Sequence, residues 1–254
     1  MKRNTDIYKL YMEAGLAVLI ALFLGLAGSA GVLSPRAAEN KQTEVSAQDD
    51  GIKAGEENEN KTLASSPDTG ETKETIAAGQ YPIMGNSDVT VQEMVDYFNA
   101  SGEKYPAEEL SKGGADSIET FCQLYYDEAT AEGVRPEVAF AQTMKETGFL
   151  QYGGDASIEQ FNFAGLGTTG NGVPGNSYPD VQTGIRAQIQ HLKAYATSDP
   201  LKQECVDDRY EYVKKGSAPY VQWLGQQENP EGLGWATGDN YGYDIAGMIE
   251  DMME

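Results

Sequence analysis

One carboxylate in the sequence has a setting suited to chemistry. Glu146 lies in the run AFAQTMKETGFL, where Val138, Ala141 and Met144 recur at helical spacing and Gly148 is a natural stop. A carboxylate at that point faces the negative end of the helix dipole. Phe140, Met144 and Phe149 are close enough in sequence to strip water from it. Both effects disfavour the charged form and raise the pKa. A carboxylic acid that keeps its proton near neutral pH is what protonation of a glycosidic oxygen requires. Taken alone, a glutamate near a helix end is ordinarily a solvated surface residue.

Other chemistries have less support. The chain contains 1 His, His191, which cannot build a His-rich metal centre and reads as a structural or surface residue. No metal and no cofactor is expected. Gly165, Gly167, Gly170, Gly172 and Gly175 form a glycine-rich stretch, but no strand-to-helix context or Lys-Ser/Thr pair follows. A mobile groove loop fits better than a phosphate cradle. Cys122 and Cys205 are the 2 cysteines; a disulfide between them is permitted in an exported domain, although sequence cannot bring their Cα atoms together. With 40 acidic against 18 basic residues and a net charge of -22, the chain is no binder of nucleic acid through a basic surface. The same balance argues against docking on anionic lipid by charge.

The elements that must position Glu146 read as helices. Thr90 and Glu93 form a capping box ahead of Val91, Met94, Val95 and Phe98. Ile118, Phe121, Cys122 and Tyr125 repeat that spacing. Pro136 suits the first position of the helix carrying Glu146. Asp180 or Thr183 can cap a helix bearing Ile185, Ile189 and Leu192, and Asp239 can cap a last one bearing Ile245, Met248, Ile249 and Met252. Between Gly153 and Ser177 the Gly-, Thr- and Asn-rich segment predicts a loop with room for a short hairpin. The expected class is all-α, or α with a small β excursion.

Three regions follow from composition. Residues 1–34 hold a basic start (Lys2, Arg3, Lys9) and an uncharged run from Ala14 to Leu33. As a helix this run would be about 30 Å long, the hydrocarbon thickness of a bilayer. The basic flank would keep the start of the chain in the cytoplasm and place the remainder outside. A cleaved signal peptide with an apolar core from Ala14 to Leu26 is the competing reading. Residues 35–80 are acidic and nearly devoid of large apolar side chains, which predicts a flexible tether. Residues 81–254 are long enough for one well-buried core.

The stretch GVRPEVAFAQTMKETGFLQYGGD, followed by FNFAGLG, resembles the glucosaminidase family of peptidoglycan hydrolases, glycoside hydrolase family 73 and its relatives. Gln142, Glu146, Thr147 and Gly148 match a Q-x-x-x-E-[ST]-G motif, and Asn162 to Leu166 match an N-[FY]-[FA]-G-[IL] block. The segment around Tyr178 and the closing WATGDNYGYDI are similar to two further family blocks in the same order. The resemblance implies a lysozyme-like α-lobed fold with a saccharide groove and cleavage of the β-1,4 bond after N-acetylglucosamine in peptidoglycan strands. It implies Glu146 as general acid and Tyr241 as the tyrosine across the groove, although Tyr241 also reads as a core residue of the last helix. Gln142, Asn162, Phe163, Tyr178 and Trp235 become candidate substrate contacts, with core packing the alternative for Phe163 and Trp235. The departure concerns a second carboxylate. The stretch LGTTGNGVPGNSY contains no acid, which leaves Asp155, Glu159 and Asp180 as candidates, each also readable as a surface or capping residue. Either one of them activates water or the substrate's N-acetyl group attacks the anomeric carbon. A lytic transglycosylase, or a wall-binding protein without catalysis, is the alternative.

Overall fold

The computed structural model describes residues 79–254, apart from Asp155 and residues 169–171. The expected membrane helix or signal peptide and nearly all of the acidic tether therefore lie outside the described residues, as does Asp155. What is described is mainly helical. Helix α1 (Val91–Ala100) begins with both halves of the capping box in place: Thr90 accepts from the Glu93 N–H, and the Glu93 carboxylate accepts from the Thr90 N–H. A short α2 (Ala107–Leu110) leads to α3 (Ile118–Glu132), capped by Ser117 and closed by left-handed Gly133. Helix α4 (Pro136–Thr147) has its proline at the first turn and left-handed Gly148 at its end.

Helix α5 (Val181–Ala196) is capped by Asp180, whose Oδ1 accepts from the Thr183 N–H at 2.7 Å. Helix α6 (Tyr241–Met252) departs from expectation at its start. Its N-cap is Asn240, in the left-handed region with φ of 59°, and no side chain caps it; Asp239 does not do so.

Helix α4 is the axis of the domain. Every residue from Pro136 to Met144 is buried, so this helix has no wet face until its last turn. Its neighbours α3 and α6 pack along it, and α3 also packs on α5. Phe98, Phe121, Tyr125, Phe140 and Phe163 fill the space between helices with tilted and edge-on ring contacts.

The backbones approach closely at two glycines. A Cβ at Gly184 of α5 would run into the carbonyl oxygen of Phe161, and one at Gly242 of α6 would run into that of Val221. Buried charge ties α3 to α5. Lys193 reaches Glu132 at 2.8 Å with both side chains almost fully buried, and Arg186 binds Glu128 through two nitrogens.

No strand ladder forms among the described residues; three isolated bridges take its place. Two of them pin an extended strap. Pro82 pairs with Tyr220 on one side, and Met84 pairs with Val134 on the other. The described part of the segment from Gly153 to Ser177 is irregular, with a 3-10 turn at Ile158–Gln160 and a bridge residue at Val173 but no hairpin ladder. Side-chain amides hold it: Asn162 Nδ2 donates to the Leu166 and Asn176 carbonyls, and Gln160 Nε2 to that of Pro174.

The permitted disulfide is absent. Cys122 sits on the buried face of α3 and Cys205 in an exposed loop, and both are free thiols. A core helix position and a surface loop do not present their sulfurs to one another.

Candidate active site

The last turn of α4 brings Glu146 to the side of the domain where α6 begins. Glu146 is half-buried, and its Oε1 accepts a hydrogen bond from the Tyr241 hydroxyl, the first side chain of α6. Tyr241 accepts in turn from Gln142 Nε2 at 3.0 Å. Gln142 is one turn before Glu146 on the same face of α4, which is why the four-residue spacing in sequence becomes contact with one tyrosine.

Burial pushes the Glu146 carboxyl above the ordinary glutamate range; the Tyr241 hydroxyl and the Lys145 ammonium pull it back without cancelling that rise. Burial, reinforced by the negative charge of Glu146, raises Tyr241 far above the usual tyrosine value, so its hydroxyl stays protonated and remains a donor. The arrangement can hold a proton on a carboxyl group and release it to a partner on the open side.

Two neighbours were not apparent from the sequence. Lys145 lies over the Tyr241 ring, 5.5 Å from its centre, and pairs with Asp244 of α6 at 2.7 Å. Behind Gln142, Gln188 of α5 donates to Gln142 Oε1 at 2.9 Å and accepts from the hydroxyls of Tyr125 and Thr143. No motif marked Gln188. Its only signal was a polar residue beside Ile185 and Ile189 on a core-facing helix.

The family model described as "Mannosyl-glycoprotein endo-beta-N-acetylglucosaminidase" matches residues 122–254, just over half of the chain and all of the region from mid-α3 onwards. The chain belongs to the glucosaminidase family. A protein of Borreliella burgdorferi, itself described as uncharacterized, is 42% identical over 118 residues, which is 46% of this chain. The chain spans 58% of that relative's length. No solved structure matches.

Within this glucosaminidase domain the expected substrate contacts separate. Gln142 and Tyr241 join Glu146 directly. Asn162 and Phe163 do not: both are 1% exposed. The Asn162 amide is consumed in stapling its own loop, and the Phe163 ring stands edge-on to Phe121 at 5.2 Å. Phe163 is a core ring and offers no face to a sugar. Tyr178 is also buried, and burial is the main cause of its hydroxyl being pushed up to about 12.

Trp235 is half-buried in a cluster with His191 and Tyr195, at 4.8 and 5.7 Å between ring centres. His191 gives its Nδ1 to buried Asp207 at 2.7 Å, which accounts for it structurally. Of the candidate second carboxylates, Asp180 is engaged as the α5 cap, and Glu159 is exposed and paired with Lys112 at 3.5 Å.

Two shallow surface hollows have volumes of about 240 and 260 Å³. The first is walled by Leu150, Gln151 and Tyr152, just past the end of α4; the second by Tyr195, Tyr212 and Leu233, beside the Trp235 cluster. Glu146 is in the wall of neither.

Proposed function

We propose that this protein is an exported peptidoglycan hydrolase that cleaves the β-1,4 bond following N-acetylglucosamine. The observation that carries this reading is the Glu146–Tyr241 pair: a carboxyl whose burial favours its protonated form, held by a tyrosine, within a glucosaminidase-family domain. In the proposed reaction Glu146 gives its proton to the glycosidic oxygen as the bond to the anomeric carbon breaks. The aglycone leaves as an alcohol, water completes the hydrolysis, and a reducing N-acetylglucosamine end is formed.

Asp180 is engaged as a cap and Glu159 sits in an exposed ion pair, which supports attack by the substrate's own N-acetyl oxygen over either of them; Asp155, outside the described residues, stays the alternative as the group that activates water. Export rests on the sequence of residues 1–34, with the basic start retained inside and the apolar run either spanning the membrane or cleaved. Tyr195 and Tyr212 line the second hollow and offer aromatic surface to a sugar ring, at a place whose wall does not include Glu146.

The test is digestion of purified peptidoglycan by the full chain, followed by mass spectrometry of the released muropeptides. Reducing N-acetylglucosamine ends are expected. Anhydro-muramyl ends would reassign the protein to the lytic transglycosylases, and binding without new ends would leave a wall-binding protein.

A further inference from the structure

Side-chain amides and hydroxyls can each be oriented two ways, so a chain of them normally has no fixed direction. Here one end is fixed. Gln188 Nε2 lies 3.0 Å from the carbonyl oxygen of Ala139, a group that can only accept. The nitrogen of the Gln188 amide is thereby assigned. The same nitrogen faces Gln142, so the Gln142 atom it meets at 2.9 Å is the oxygen. Gln142 must then present its nitrogen to Tyr241. The tyrosine oxygen accepts from that nitrogen, and its single hydrogen has one destination, Glu146 Oε1. The far side of Gln188 agrees, since its oxygen meets the Tyr125 and Thr143 hydroxyls at 2.8 and 2.9 Å. Gln142, Thr143, Gln188 and Tyr125 are all fully buried, so no water is at hand to reverse a link.

We propose that Gln188 is a positioning residue that fixes, through Gln142 and Tyr241, which oxygen of Glu146 carries the acid proton. With Oε1 occupied as an acceptor, the proton is confined to Oε2, the oxygen outside the chain. In a chain of opposite direction the proton would sit on Oε1 and point into Tyr241, where no substrate can take it. The inference deepens the general-acid reading of Glu146 and rests on it for its catalytic consequence. The hydrogen-bond direction itself does not depend on that reading.

The other ionisable groups around the carboxyl are Lys145 on its own helix and Tyr241 from α6; Asp244 of α6 is held by Lys145, Tyr195 of α5 acts on Tyr241 through its charge, and Tyr125 of α3 stands at the far end. None of them assigns the direction, because none meets the Gln142 amide except Tyr241, which can donate or accept.

Gln188→Met removes the donor that holds the Gln142 oxygen and frees that amide to turn over. The reversed chain then becomes available to the protonated carboxyl, so the Glu146 pKa should rise. Carboxyl titration of carbon-13 glutamate-labelled full chain, assigned by loss of the signal in Glu146→Gln, reads this directly. Ile189→Ala serves as the control, because it opens a cavity on the same helix without touching the chain. The expected result is an upward shift in Gln188→Met and none in Ile189→Ala. A Glu146 titration unmoved by Gln188→Met overturns the proposal, whatever the chain does to glycan.

On the same samples, peptidoglycan cleavage should fall about tenfold or more in kcat with KM nearly unchanged in Gln188→Met. If Gln188→Met loses no more activity than Ile189→Ala, the claim that the proton's place matters to the reaction is overturned. Wild-type protein that cleaves nothing while Glu146 still shifts would sink the hydrolase reading and leave the assigned direction standing.

Discussion

Glu146 carries its charge at a cost to the fold. Its carboxyl is held above the ordinary glutamate range, so the folded protein binds this proton more tightly than the unfolded chain. The sign follows: this group weakens the fold as pH rises from the ordinary glutamate value through the raised one, and no longer does so below both. Glu146→Gln should therefore unfold at an equal or higher temperature than wild type at neutral pH, with the difference closing in acid. The same substitution should cost about 100-fold or more in peptidoglycan cleavage. Thermal unfolding followed across pH, alongside muropeptide release, checks both.

The place of Glu146 at the end of α4 was legible in the sequence because the helical spacing and the glycine stop are local signals, whereas its reading as an acid came from the family resemblance. Gln188 was not legible, because it lies 42 residues after Glu146 and only the packing of α5 on α3 brings it to Gln142. Asn162 and Phe163, expected as substrate contacts, are turned inward for a related reason. A motif shows that residue types recur together, not which of them face inward, and both of these are spent on loop and core.

At the scale of elements, capping and periodicity predicted most of the helices, since the Thr90 box, Pro136, Gly148 and Asp180 act within one turn of chain. The start of α6 escaped because Asn240 enters through the left-handed region and no side chain caps the helix, so Asp239 was the plausible but wrong choice. The role of Asp180 can be separated from catalysis. Asp180→Asn keeps a cap of similar quality and should leave both stability and cleavage unchanged, whereas Asp180→Ala should cost about 1 kcal/mol in denaturant unfolding. Loss of cleavage in Asp180→Asn would return this residue to the list of second carboxylates. The seat of α5 is tighter than any pattern could tell. Gly184→Ala drives a methyl group against the Phe161 backbone, which has no rotamer by which to give way. A loss of about 1–3 kcal/mol or more is expected, read by the same unfolding curve.

Over the molecule as a whole, the acidic excess leaves its mark where it is buried. Burial alone would raise Glu132, but Lys193 and the N–H groups of Lys202 and Gln203 outweigh it and hold the carboxyl below the ordinary value. Glu128 is treated likewise: burial is overcome by Arg186, Gln182 and Gln203. Their stabilisation is fully present above the ordinary glutamate pKa and is lost as pH falls through the lowered ones. Acid unfolding should thus set in below that ordinary value. Lys193→Met, which strands a buried carboxylate, should cost about 3–5 kcal/mol at neutral pH and flatten the acid limb. Circular dichroism across pH tests both.

The strap at the start of the described chain has a mechanical consequence. Its backbone is sewn to Gly133 and Arg135 on one flank and to Pro219 and Val221 on the other. A pull on Tyr81 would meet these four backbone bonds before it reached α1. Because stitched Arg135 directly precedes α4, the strap couples the leading end of the described chain to the start of the helix bearing Glu146.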